Sequence, residues 1–336
     1  MLNRRIFLGA AALAATLGLL TANTSAQDRT EVLLDGSSTV GPISEAMAEE
    51  FIAQNPEVSV VVGISGTGGG FKKFCAGETV ISGASRPIKD EEIEACAENG
   101  VEYIEVPVAY DAITVVVPNS NTWADSLTVD ELKTMWEATA EGTVTNWNQI
   151  RPSFPDQALT LFGPGTDSGT FDYFSEVIID GDSRADYTAS EDDNVIVLGT
   201  AGTPGSLGYF GLAYYEENRD QLQAVAIDNG SGPVVPSAET VNNGTYTPLS
   251  RPIFIYVRKD ALDRPEVESF VDFYLSEDNR YLISDVGYVP LSDDAYLLGQ
   301  ALVAQEITGS VFSGAPADSS VVALLNSAFE EDSESE

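Results

Sequence analysis

Apolar positions along the chain fall into two rhythms. Val32-Leu33-Leu34, Val58-Ser59-Val60-Val61-Val62 and Ala112-Ile113-Thr114-Val115-Val116-Val117 are short runs rich in β-branched residues, the composition of strands. Between the first two, Ile43, Met47, Phe51 and Ile52 fall on one face of a helix. The run over 112–117 is nearly all apolar or β-branched, which suits a strand buried on both faces. Thr128 and Glu131 have the spacing of a capping box and open a helix over 128–136. A loop ending at 147–150, a strand at 159–162, a glycine-bracketed strand at 205–211 and a helix around 213–218 follow. The stretch 228–250 is polar and rich in Pro and Gly; beyond it, 252–257 reads as a strand and 265–282 as a helix. The alternation predicts an α/β fold with helices covering a mainly parallel sheet. No internal repeat is present.

Three strand-to-helix turns share one character. Asp35-Gly36-Ser37-Ser38-Thr39-Val40-Gly41-Pro42 follows the first strand. Gly63-Ile64-Ser65-Gly66-Thr67-Gly68-Gly69-Gly70-Phe71-Lys72 follows the second. Gly165-Thr166-Asp167-Ser168-Gly169-Thr170-Phe171 follows the strand at 159–162. Each is a glycine-punctuated, hydroxyl-bearing loop running into a helix, where unpaired backbone N–H groups and the helix dipole favour an anion. Glycine lets an oxyanion approach the backbone closely, and Ser and Thr add donors. An ordinary Ser/Thr N-cap is the plain alternative for each loop alone. Ligands of α/β sheets sit at the carboxyl ends of strands, where all three loops lie. No Gly-Lys-Ser/Thr follows the glycines, and no dinucleotide fingerprint is present, so nucleotide binding is discounted.

The chain has 336 residues, enough for two domains. Its formal net charge of −37 argues against nucleic acid and anionic membrane surfaces as partners. That field also opposes an anionic ligand, but screening over about 8 Å lets a few aimed donors dominate inside a cleft. There is no histidine, which removes Ser-His-Asp triads and His metal sites. Asn3-Arg4-Arg5-Ile6-Phe7-Leu8 resembles a twin-arginine export motif; an apolar stretch and Thr24-Ser25-Ala26 complete a signal peptide over 1–26. Sec export is the alternative route. The mature protein is then expected in the periplasm. Two cysteines in an exported chain, Cys75 and Cys96, allow one intramolecular disulfide worth about 3 kcal/mol in the chain-entropy picture, with two free buried thiols as the alternative. The end, Glu330-Glu331-Asp332-Ser333-Glu334-Ser335-Glu336, reads as part of an acidic, disordered tail over 326–336.

Taken together, residues 35–42, 64–73, 81–88 and 166–174 resemble the motifs of the PstS-type phosphate-binding proteins of bacterial ABC importers. The stretches 127–150 and 205–215 match that family's framework. The resemblance covers nearly the whole mature chain. It implies a type II periplasmic-binding-protein fold: two α/β lobes, a ligand cleft between them and two crossover strands. One lobe would comprise 28–108 plus 252–325, the other 109–251. Carried over by position, Ser38 and Thr39 would contact phosphate at the first helix start and Thr67 at the second. Ser168, Gly169 and Thr170 would bind from the opposite lobe. The chain departs from the best-known branch in two places. Arg86 stands where that branch has an aspartate, and Pro164 stands where it has an arginine. Arg86 would then supply the full positive charge to the phosphate, its alternative being an arginine paired with a carboxylate. Asp111 and Asp167 are the candidates for the missing acceptor of the phosphate proton, a contact that can exclude unprotonated sulfate by about 10⁴–10⁵. Either could instead be a loop cap.

The expected function is a monomeric receptor that captures inorganic phosphate and delivers it to a membrane permease, with no cofactor, no metal and no catalysis. The runner-up is a receptor for another oxyanion, such as phosphonate, arsenate, sulfate or molybdate. A phosphatase would need an activating base that the sequence does not offer.

Overall fold

The computed structural model describes residues 30–166, 168–190, 192–316 and 319–335. The expected signal peptide and Asp167 lie outside the described residues. Strands β1 (Thr30–Gly36), β2 (Val58–Ile64) and β3 (Ile81–Ala84) pair in parallel with β1 in the middle. Helices α1 (Gly41–Gln54) and α2 (Thr67–Cys75) leave the ends of β1 and β2, and α3 (Asp90–Glu98) follows β3. Strand β4 (Tyr103–Pro118) then runs for 16 residues, all of them buried. Its 112–117 run lacks polar alternation because it lies in the middle of the molecule, and the two acids of the strand, Glu105 and Asp111, are buried with partners.

Beyond β4 the chain builds a second sheet. Helix α4 (Val129–Trp136) starts at the expected capping box, with Thr128 Oγ1 accepting from Glu131 N–H and Glu131 accepting from Thr128 N–H. Strand Thr160–Pro164 pairs in parallel with Ser206–Gly211 and Thr188–Ser190, and Ser206–Gly211 pairs antiparallel with the far half of β4. The strand Ser250–Arg258 returns alongside β4, antiparallel, from Ser250 opposite Ala112 to Arg258 opposite Tyr103, and also borders β3. Two long neighbouring strands thus carry the chain out to the second sheet and back.

The sheet is therefore mixed rather than mainly parallel. Its outer parts are parallel, and its centre is antiparallel because the chain must come back along the strand that carried it out. Two other expectations are corrected. The helix expected over 265–282 is broken into Pro265–Tyr274, a short turn at Glu277–Asn279 and Tyr281–Asp285. Ser276 accepts from Asp278 N–H and caps a new turn there. The tail expected to be disordered from 326 belongs to a helix, Val321–Ser335. Val321, Leu325 and Ala328 repeat at helical spacing and are buried, and this apolar stripe outweighs the acidic composition that follows it.

Cys75 at the end of α2 and Cys96 in α3 form the disulfide. It ties together the two helices that flank the second and third cleft loops.

Candidate functional site

Three loops leave β1, β2 and β3 at one level, since Gly36 lies opposite both Ile64 and Gly83. Backbone contacts lock them together. Ser37 N–H donates to Gly83 O at 2.9 Å, and Gly66 N–H donates to Gly36 O at 2.9 Å. The approach is close enough that a Cβ on Gly36 would sit 2.1 Å from Gly83 O. A Cβ on Gly70 would sit 2.5 Å from Gly36 Cα. Thr67, the first residue of α2, brings in the third loop: its Oγ1 accepts from Ser85 N–H at 3.2 Å and meets Ser85 Oγ at 3.1 Å.

Asp35 braces the same junction. Its carboxylate accepts from Ser65 N–H at 3.0 Å and from Lys73 Nζ at 2.5 Å. Burial pushes the Asp35 carboxyl up, but the hydrogen bonds from Lys73 and Ser65 outweigh it and hold it below the usual range. Of the two adjacent serines, Ser37 is buried and caps Thr39 N–H at 3.1 Å, while Ser38 is exposed. The sequence does not say which of two neighbouring serines turns inward, so Ser37 escaped a sequence reading that named Ser38.

The fourth loop comes from the second sheet. Helix α5 (Gly169–Phe174) follows strand Thr160–Pro164, and Ser168 caps it by accepting from Thr170 N–H at 3.2 Å. The plain N-cap role of Ser168 is thus realised; it leaves the hydroxyl proton free to donate. Phe174 stacks on Tyr209 at 4.0 Å and meets Trp136 edge-on, which seats α5 on its own core. This loop faces the first one: a Cβ on Gly169 would lie 2.9 Å from Thr39 Oγ1. Loops from the two sides therefore meet at Thr39 and Gly169, and glycine at 169 is what lets them do so.

Arg86 is not free. Nη1 and Nη2 pair with the Glu92 carboxylate of α3 at 2.9 and 2.8 Å, Nη1 also donates to Pro87 O, and the guanidinium lies 5.7 Å from the Phe71 ring. The hydrogen bond it donates to the Glu92 carboxylate raises its pKa further. The carboxylate partner that the sequence left as an alternative is present, and Arg86 still lines a cavity of about 820 Å³.

Arg86 is also not the sole cation there, which corrects the expectation of a single positive charge. Arg251, on the return strand, lines the same cavity. It lies opposite Asp111 in the β4 register and donates Nε and Nη2 to Asp111 Oδ2, both at 3.3 Å. Asp111 is 4% exposed. Burial raises its carboxyl above the ordinary range, and Arg251 pulls against that shift. Composition could not flag Arg251, because only the pairing of two strands 140 residues apart brings it to Asp111.

Among the described residues no group of three His, Cys, Asp or Glu could hold a metal ion. Loop hydroxyls and amides meet at Thr39 and Gly169, Arg86 and Arg251 line one cavity, and Arg251 holds the buried Asp111; donors and cations of this kind suit binding a small oxyanion.

Comparison with known proteins agrees with this geometry. A family model described as a PBP superfamily domain matches residues 21–278. Protein SphX of Synechocystis sp. is 50% identical over 298 residues, covering 88% of this chain and 88% of its own. The phosphate-binding protein PstS of Staphylococcus saprophyticus is 39% identical over 269 residues, covering 79% of this chain and 82% of its own. The crystal structure of a possible phosphate binding protein from Planctomyces limnophilus is similar with a TM-score of 0.77 at 46% identity, over 82% of this chain and 98% of that one. The mixed α/β architecture is the type II periplasmic-binding-protein fold, and the chain belongs to the PBP superfamily and, within it, to the PstS-type phosphate-binding proteins.

Proposed function

We propose that this chain is a periplasmic solute-binding protein that captures inorganic phosphate and delivers it to an ABC-type importer, without chemistry on its ligand. The observation that carries this reading is the approach of Gly169 to Thr39. It opposes a hydroxyl-and-amide loop from one sheet to a matching loop from the other, as a ligand gripped from both sides requires. The names of the relatives that bind phosphate support the ligand class. Thr39, Thr67, Ser168, Gly169 and Thr170 would supply donors, with Ser38 at the rim and Arg86 charge assistance. Asp111 would accept the phosphate proton; Asp167 is the other candidate for that role. The lobes would be 28–108 plus 252–325 and 109–251, closing on the strands β4 and Ser250–Arg258. No helix among the described residues is long and apolar enough to cross a membrane. An exported receptor that meets its permease at the membrane surface needs none.

Isothermal titration of the mature chain with phosphate and, separately, sulfate tests the reading. Saturable heat with phosphate and little with sulfate is expected. Absence of phosphate binding ends the proposal, and equal binding of sulfate turns it into a general oxyanion receptor.

A further inference from the structure

Arg251 makes contacts with both sides of the molecule that the ligand reading does not use. Its Nε and Nη2 both go to Asp111 Oδ2; the other oxygen, Oδ1, has no hydrogen-bond partner among the described residues. Its guanidinium carbon lies 3.8 Å from the centre of the Tyr173 ring, and its Nη1 lies 3.5 Å from Glu176 Oε2. Tyr173 is in α5, the helix begun by Ser168-Gly169-Thr170, and Glu176 is in the turn that continues it. The Tyr173 hydroxyl in turn donates to Pro248 O at 2.7 Å, two residues before the return strand. One side chain thus joins the crossover strands, a buried carboxylate and the helix of the second binding loop.

We propose that Arg251 is a positioning residue that sets the anion selectivity of the cleft: it fixes the Asp111 carboxylate through one oxygen, leaves the other to accept a proton from the ligand, and clamps α5 by its ring and carboxylate contacts. This rests on the phosphate reading above and adds the origin of its selectivity.

The chemistry is directional. A buried carboxylate oxygen needs a donor. Hydrogen phosphate carries one on a P–OH; sulfate presents only oxygen and meets a like charge. The discrimination lasts only while Asp111 is ionised, and burial alone disfavours that state. Arg251 is the cation that opposes it, in a fork geometry that a lysine cannot copy. Asp111 is faced by Arg251, by Tyr173 and by Tyr288, whose phenols burial holds protonated. Arg251 is faced by Asp111, Asp172, Glu176 and Tyr173. Without the guanidinium, Asp111 takes up a proton, becomes a donor and faces a sulfate oxygen favourably.

The test is calorimetric titration of phosphate and sulfate into wild type, Arg251→Met, Arg251→Lys and Asp111→Asn, from about pH 6 to about pH 9. In Arg251→Met the phosphate-to-sulfate affinity ratio should fall at least about tenfold at the acid end, relative to wild type, and recover as Asp111 ionises towards the alkaline end. Arg251→Lys should change in the same sense but less. Asp111→Asn should lose selectivity at every pH with no recovery, and adding Arg251→Met to it should restore no pH dependence. Asp172→Asn, the control for the other carboxyl near Arg251, should keep the wild-type profile. An Arg251→Met ratio unchanged from wild type, or lowered by one factor at all pH values, overturns the proposal and leaves Arg251 a structural contact. If Arg251→Met does not fold, the Lys variant carries the same test. Wild type that gives no phosphate heat overturns the function itself; wild type that binds with flat variants overturns only this inference.

Discussion

The two sides of the cleft are held in different ways. On the side of β1, β2 and β3, three loops are bolted to one another by backbone hydrogen bonds and glycine contacts, with Asp35 and the Cys75–Cys96 disulfide as braces. On the other side a single loop caps a short helix, and that helix is held by side chains: Phe174 on Tyr209 from its own core, Tyr173 and Glu176 through Arg251. Backbone contacts leave no room for adjustment, whereas side-chain contacts can be made and broken as the sides close. The first side should behave as folding architecture and the second as binding apparatus, so changes in the first should act on stability and changes in the second on affinity.

The largest effect expected on the first side is loss of the disulfide. Cys75→Ser with Cys96→Ser should lower unfolding stability by about 3 kcal/mol in a urea titration, by releasing a loop of roughly 20 residues in the unfolded chain. Phosphate affinity of the fraction that remains folded should change little. Gly70→Ala comes next. Its Cβ would lie 2.5 Å from Gly36 Cα and 2.8 Å from Ser82 Oγ, so backbone must move, and a loss of about 1–3 kcal/mol is expected. If both substitutions leave the urea midpoint unchanged, the contrast drawn here fails on its rigid side.

A buried acid beneath the same side sharpens the comparison by pH. Glu105 on β4 accepts from Tyr256 Oη, Ser310 Oγ and the amides of Val311 and Phe312. Burial nevertheless pushes its carboxyl up to about 6, against those hydrogen bonds. The folded protein then holds this proton more tightly than the unfolded chain does. The contribution to stability is full below about pH 4.5 and is lost as pH rises through about 6, a change of about 2 kcal/mol. Subtracting the stability profile of Glu105→Gln from that of wild type should isolate that fall. A flat difference would mean that the four donors fully offset burial.

Gly169→Ala should give the smallest free-energy change and the clearest contrast. The backbone there suits alanine, but the new Cβ would lie 2.9 Å from Thr39 Oγ1 on the opposite side. Phosphate should bind about tenfold more weakly, which is about 1.4 kcal/mol, with the urea midpoint unmoved. A loss of stability without a loss of affinity would reverse the roles assigned to the two sides.

The helix starts that carry several candidate site residues were legible because their signal is local. Thr67 and Ser168 stand at helix starts announced by glycines and hydroxyls, and the Thr128–Glu131 box is a rule about residues three apart. Ser37 was missed because its inward turn depends on which carbonyl β3 presents to it. Arg86 was expected as a lone cation because its partner Glu92 lies across a turn, in the run Asp90-Glu91-Glu92, among which sequence gives no choice. The continuous Val321–Ser335 helix was hidden by composition, since the acidic run from Glu330 dominates the sequence signal over the buried Val321, Leu325 and Ala328.

By itself the sequence determined the alternation of the main strands and helices, the apolar 112–117 run of β4, the glycine-and-hydroxyl loops at helix starts and the lack of any histidine. Those are matters of periodicity and residue type, which act within a few positions of the chain. Only the tertiary structure decided that Thr39 meets Gly169, that Arg251 takes Asp111 by one oxygen, and that both cations line one cavity. Those contacts join residues more than a hundred positions apart, and strand register, set by burial of the whole sheet, is what brings them within reach.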